Sequence, residues 1–260
     1  MSASEEFLAL VAGPEGDIPL DGGCLLIAAH ARPPGERATV VTRGRAALDE
    51  LAGGCVGADL DAVLGHLFGT LGFAGNRAHY DDPRNSLLDE VIGRRTGIPI
   101  TLSVVLIEVA RRVGVALAPI GMPGHFIVGA GDGRFVDAFD GGRVLDEGGC
   151  RRRFAELAGP GAPWSVDLLA PVGPRAVLAR VLANLRRVYG ESGDLRALDW
   201  VLALRVAIPG VPPAERAERA SVLSALGRYD EAAAELDRLA AAGGGDELRS
   251  QAARLRARLN

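Results

Sequence analysis

Four histidines, at positions 30, 66, 79 and 125, and three cysteines, at 24, 55 and 150, are the residues best suited to chemistry in this 260-residue chain. No two histidines have the spacing of a metal pair, and no Cys-x-x-Cys suggests zinc or redox work. His66 falls between the face positions of a helix. His30 ends an apolar helix, where a charged imidazole suits the helix C-terminus. His79 lies in a polar loop with Asp81 and Asp82 and reads as structural or site-lining. His125 differs from these: it opens a strand after Gly-Met-Pro-Gly, and Asp137 stands on the returning strand. A three-residue loop at Gly131–Gly133 sets residue 127 opposite 137, so His125 and Asp137 share a face as diagonal neighbours. A two-residue loop sets 128 opposite 137, on the wrong face unless a bulge repairs the register. In the first register Asp137 can fix the imidazole tautomer, as an orienting carboxylate does beside a base and a nucleophile. A metal held by His79, His125 and a nearby aspartate is a further reading.

The elements around this pair are readable in outline. Residues 4–75 are expected as helices in pieces, broken at Gly13–Gly16, Pro33–Gly35 and Gly53–Gly54. The clearest piece runs from Asp59 to Leu71, with Leu60, Val63, Leu64, Leu67, Phe68 and Leu71 on one face, Asp59 as N-cap and Gly72 as terminator. A polar turn region follows over residues 75–86, then a short helix from about Leu87 to Arg95. Thr101 is expected to cap a helix over residues 102–113, whose apolar circumference implies burial against a sheet. Glu108, its one mid-helix acid, needs a donor, with Arg94 and Arg95 as candidates. Strands are expected at Ala116–Ile120, His125–Ala130 and Arg134–Phe139. A Pro/Gly-rich linker, Gly159–Pro174, leads to an all-helical tail. There Ala197, Val201, Leu204 and Pro209 recur 35 residues on as Ala232, Leu236, Leu239 and Gly244. That spacing is close to the tetratricopeptide period of about 34 residues.

Composition excludes several chemistries. All 29 basic residues are arginine, so no lysine is present for a Walker A loop, a kinase site, a Schiff base or a Ser-x-x-Lys pair. From Pro174 onward 14 arginines face 11 acids, a net of +3, whereas the first 173 residues carry a net of −7. Neither value suits a nucleic-acid binder, and the triplet Arg151–Arg153 reads as a solvated helix start. The opposite signs are compatible with the two parts packing together. The longest apolar runs are too short to cross a bilayer and no basic flank of a secretory signal is present, so a cytoplasmic protein is expected.

Several longer motifs carry a resemblance. They are residues 67–76 (LFGTLGFAGN), 80–86 (YDDPRNS), 94–103 (RRTGIPITLS), 110–114 (ARRVG), 121–126 (GMPGHF), 137–142 (DAFDGG) and 184–189 (NLRRVY). Together they resemble the SirB-type transglutaminase-like family, whose members join a transglutaminase-like domain to a tetratricopeptide-like helical region. The resemblance implies an α+β fold with a papain-like core, helices packed on a small antiparallel sheet, and an all-α tail, divided at 1–165 and 166–260. The wider superfamily resembles papain in using Cys, His and Asp for acyl transfer or amide hydrolysis. His125 then takes the histidine place and Asp137 the aspartate place. The cysteine place, at the start of the buried helix where the helix dipole favours a thiolate, holds Pro99-Ile-Thr-Leu-Ser103 instead. Thr101 and Ser103 are the candidate hydroxyl nucleophiles, and Cys24, Cys55 and Cys150 have none of the family's local setting.

The expectation is a non-catalytic binding or regulatory protein, with a cleft lined by Asn76, His79, Asn85, His125 and Asp137 and a helical tail for a protein or peptide partner. No cofactor, metal, nucleic acid or membrane is expected. The rival is a hydrolase or acyltransferase using His125 and Asp137 with a hydroxyl or a displaced cysteine.

Overall fold

Three helices open the chain in the computed structural model, which describes residues 2–159 and 161–259. Helix α1 (Ala3–Ala12) starts on a capping box: Glu5 N–H donates to Ser2 Oγ at 3.3 Å and Ser2 N–H to the Glu5 carboxylate at 2.8 Å. Helix α2 (Leu20–His30) is buried along its length, and α3 (Arg37–Gly53) packs on it. The helix expected over 59–71 is divided. Asp59 caps α4 (Leu60–Leu64), and a π-helical stretch, Gly65–Thr70, carries the chain on to Gly72.

Strand β1 (Ala74–Gly75) pairs in parallel with β2 (Thr96–Gly97), enclosing α5 (Leu88–Arg94) between them. Gly75 is required there because a Cβ would sit 2.4 Å from the Phe139 ring. The central helix, α6, runs from Pro99 to Arg112, so the start expected at residue 102, with Thr101 as its cap, lies three residues too late. Pro99 takes the first helical position, where its missing N–H costs nothing, and Thr101 becomes the third residue. Every residue from Pro99 to Ala110 is buried. The β-branched residues lose at most ~0.7 kcal/mol each in helix propensity, whereas burying a large aliphatic side chain contributes about 1.5–3 kcal/mol. Burial wins.

A four-stranded antiparallel sheet lies against α6: β3 (Ala118–Ile120), β4 (Ile127–Gly129), β5 (Phe135–Asp137) and β6 (Arg143–Leu145), in that order. The strands are shorter than expected because turns claim their ends, and His125 precedes β4 by two residues instead of opening it. Helix α7 (Glu147–Ala158) follows on an Asp146 cap. The expected linker holds a short helical turn at Val166–Leu169, and Val172 N–H reaches back to Pro119 O at 2.9 Å on the sheet edge. Pro160, inside that linker, lies outside the described residues.

The tail is all helix: α8 (Pro174–Ser192), α9 (Leu195–Arg205), α10 (Ala214–Ala225), α11 (Tyr229–Leu239) and α12 (Asp246–Arg256), each packed on its successor. The apolar core continues through Val177, Leu178, Val181 and Leu182 of α8 into α9, joining the tail to the α+β region. Two charge pairs cross the same seam, Arg175–Glu15 at 2.7 Å and Arg187–Asp81 at 2.5 Å. Among the described residues no helix is long and apolar enough to cross a membrane.

Candidate functional site

Met122-Pro-Gly-His125 forms a type II turn: His125 N–H donates to Met122 O at 3.1 Å, and Gly124 has φ +73°. Proline in the second position and glycine in the third are what that turn demands. The turn delivers the imidazole onto the sheet face, 5 % exposed. Across the hairpin Val128 pairs with Val136 and Gly129 with Phe135, leaving a three-residue loop, Gly131–Gly133. In this register His125 Nε2 lies 2.8 Å from Asp137 Oδ2. The carboxylate accepts, so Nε2–H donates and Nδ1 is the nitrogen left over. Nδ1 has no hydrogen-bond partner among the described residues, and it is not one of the sealed, unpartnered polar atoms, which are Ser103 Oγ and Arg94 Nη1.

Asp137 is 1 % exposed and fully occupied. Its Oδ1 accepts the N–H groups of Phe139 and Asp140, both at 3.1 Å. Its Oδ2 takes Arg153 Nε at 3.1 Å besides the imidazole. Burial pushes its pKa up, but the His125 hydrogen bond and the His125 and Arg153 charges outweigh that and hold it below the ordinary carboxylate value. Arg153 went unnoticed in the sequence as the last of a triplet read as solvated. Its signal was the helical face: Cys150 and Phe154 are buried beside it, while Arg151 and Arg152 are exposed.

A chain of rings leads outward from the pair. Phe139 meets His125 edge to face at 6.4 Å, and Tyr80 meets Phe139 at 5.9 Å. From α8, Arg180 Nη2 donates to the His125 carbonyl at 2.6 Å, and its guanidinium lies over Phe126 at 5.5 Å. Nothing in the sequence singled out Arg180, Tyr80 or Phe139.

The other expected residues form a second cluster. Asn85 is completely buried; its amide donates to the carbonyls of His79, at 2.7 Å, and Tyr80, at 3.2 Å, and its Oδ1 accepts from Asn76 Nδ2 at 3.0 Å. His79 presents its backbone N–H to Asn76 Oδ1 at 3.0 Å, and the residue is exposed. Thr101 Oγ1 donates to Asn85 O at 2.6 Å and accepts from Ile98 N–H at 3.3 Å. These bonds tie the 76–86 loop to the first turn of α6, and Tyr80 links the loop to the rings. Ser103 joins neither cluster.

The cysteines lie elsewhere. Cys24 is buried in α2, where burial and the charges of Glu108 and Asp21 push its thiol pKa far up. Burial and Asp146, Asp137 and Glu147 push Cys150 up to about 11. Cys55 follows the C-terminal end of α3, and burial raises its pKa too. Glu108 takes Arg111 and Arg112, the residues one turn on, instead of Arg94 or Arg95, which sit at the other end of α6. At His30 burial, opposed by the bond to Leu26 O, lowers the pKa, and Ser4 Oγ meets Nε2 at 2.9 Å. The charged imidazole expected at that helix end is therefore disfavoured. Among the described residues no group of three or more His, Cys, Asp or Glu side chains is arranged for a metal.

Comparison with known proteins gives the chain its relatives. A protein of the UPF0162 group from Xylella fastidiosa strain Temecula1 is 40 % identical over 187 residues, 65 % of this chain and 66 % of its own. A second, from strain 9a5c, is 41 % identical over 165 residues, 60 % of this chain and 58 % of its own. The mouse F-box only protein 21 is 33 % identical over 145 residues, 52 % of this chain but 22 % of that protein. The chain thus spans less than two thirds of the length of these relatives. No solved structure matches it. The family model described as the transglutaminase-like superfamily matches residues 39–183, which include α6, the sheet, His125, Asp137, Arg153 and Arg180. With more than half of its length under that match, the chain belongs to the transglutaminase-like superfamily.

Proposed function

We propose that the protein is a catalytically silent, SirB-type member of its superfamily that acts as a binding or regulatory module. The cleft around Asn76, His79, Asn85, His125 and Asp137 takes a protein or peptide partner, and the tail extends that surface. On this reading the chain divides into 1–165 and 166–260 and works in the cytoplasm. One observation carries this reading: the first turn of α6 has no thiol, and its hydroxyls are engaged or sealed. Thr101 spends its proton on Asn85 O, and Ser103 Oγ is buried with no partner. A tetratricopeptide-like tail is supported by Gly193 and Gly227, with φ of +72° and +76°, which turn the chain between α8 and α9 and between α10 and α11.

A second reading is favoured by the His125–Asp137 bond with Nδ1 left free, the arrangement of a general base and its orienting acid. It makes the protein a hydrolase or acyltransferase on amide or ester bonds, with Thr101, Ser103 or a displaced cysteine as nucleophile. A hydroxyl is the weaker nucleophile beside the same imidazole.

The test is affinity capture with the intact protein and a His125→Ala variant, followed by titration of the purified partner against both. The binding reading expects at least a ~10-fold loss of affinity in the variant, the worth of one charge-assisted or buried polar contact. Equal affinity removes the cleft from the partner's footprint.

A further inference from the structure

Arg180 stands apart from the other arginines around His125. Arg77 pairs with Asp140 at 2.8 Å, Arg153 with Asp137 at 3.0 Å and Arg187 with Asp81 at 2.5 Å. Arg180 has no carboxylate within 4.0 Å among the described residues. Its single hydrogen bond goes to the His125 carbonyl, and Phe126 covers one face. Partial burial lowers its pKa, and the Tyr80 phenol is close enough to act on it electrostatically. A guanidinium stays charged in proteins, so the fold holds a half-desolvated cation with no counter-ion. That is unfavourable unless an anion arrives from outside. Its other N–H donors are free, and its surroundings are accessible: Tyr80 is 41 % exposed, and Pro123 and Gly124 are exposed.

We propose that Arg180 is the ligand-binding cation of the site and takes a single carboxylate, with the rest of the ligand lying over the exposed Tyr80 ring toward His125 Nδ1. This rests on the binding reading of the cleft and names the chemistry it selects. One uncompensated positive charge matches a monoanion better than a phosphate dianion. A planar fork of donors matches a carboxylate, and the exposed Tyr80 ring suits an apolar or aromatic body next to it. The carboxylate belongs either to a peptide C-terminus or to a free small acid.

The experiment titrates the full chain with N-acetylphenylalanine, its amide, benzoate and inorganic phosphate, followed by calorimetry or by the His125 imidazole resonances. Saturable binding of N-acetylphenylalanine or benzoate is expected, with none by the amide, and the tighter of the two acids identifies the source. Arg180→Gln should lose at least ~10-fold in affinity, and Arg180→Lys, which keeps the charge without the fork, less. The free Arg180→Gln protein should unfold within a few degrees of the parent. No saturable carboxylate binding, unchanged affinity in Arg180→Gln, or phosphate binding as tightly as either acid would overturn the assignment. So would a large drop in melting temperature, which would make Arg180 a strut between α8 and the turn. If carboxylate binding depends on Arg180 while partner affinity ignores His125→Ala, the cation assignment stands and the partner reading falls.

Discussion

The two ends of α6 handle charge in opposite ways. At the C-terminal end Glu108 Oε2 takes Arg111 at 2.9 Å and Arg112 at 2.6 Å. Arg112 also reaches Asp49 at 2.7 Å and Asp21 at 2.8 Å. Acid and base close on one another, and the cations sit where the helix dipole favours them. At the N-terminal end four polar groups are left over: His125 Nδ1, Arg180, Ser103 Oγ and Arg94 Nη1. A hollow of about 610 Å³ lies at the closed end, walled by Asp21, Arg45, Glu108 and Arg112. Space alone therefore does not mark a site. Unspent bonding capacity does, and its accessible share is His125 Nδ1 and Arg180, Ser103 Oγ and Arg94 Nη1 being sealed.

The sharpest way to break this contrast is at the closed end. Arg112→Met leaves Asp21 and Glu108, both 3 % exposed, without their shared cation. The expected loss is about 3–5 kcal/mol, read as a lower urea midpoint at unchanged slope; a loss under ~1 kcal/mol would show the network is not holding the helix. Asp137→Asn removes one charged anchor from His125 and Arg153, and about 1.5–3 kcal/mol is expected to go with it. Because Asp137 has a depressed folded pKa, its contribution is present above the unfolded value of about 3.9 and is lost as pH falls through the folded value. The variant should lack that acid limb. Thr101→Val should lose about 1 kcal/mol, whereas Thr101→Ser, retaining the hydroxyl, should lose less. Equal losses would detach the hydroxyl from the Asn85 tie.

The smallest effect belongs to neither end. His30 stacks on Trp200 at 5.7 Å, where α2 meets the tail. Burial lowers its folded pKa, so the unfolded chain binds a proton more readily. Stability should fall as pH drops below the ordinary value of about 6.5 until the folded pKa is reached. His30→Gln should flatten that limb in a denaturation series from pH 7 to 5; an unchanged slope would assign it elsewhere.

The parts legible in the sequence were those set by local chemistry. Pro123-Gly124, Gly131–Gly133, the Asp59 cap and the breaks between α1, α2 and α3 are turn and cap signals that act within a few residues. The hairpin arithmetic left two registers open, and the three-residue loop of the structure is the one that brings His125 and Asp137 together. The start of α6 was misplaced because Thr101 has the chemistry of a cap, while Pro99 begins a helix without needing one. Arg180 was illegible for a different reason. It reaches His125 only through the packing of α8, 55 residues away, and no local period encodes that. The partner of Glu108 was chosen from the wrong end of the helix, although Arg111 and Arg112 stood at i+3 and i+4.

The central claim, a transglutaminase-like cleft that binds without reacting, is tested most directly by intact-mass labelling of the native chain. Serine-directed and cysteine-directed acylating reagents are applied to the parent and to His125→Ala under conditions that label an active control. The account predicts no stoichiometric adduct on Thr101, Ser103, Cys24 or Cys150 in either protein. A stoichiometric adduct at any of these positions that disappears in His125→Ala would contradict it and make His125 a working base.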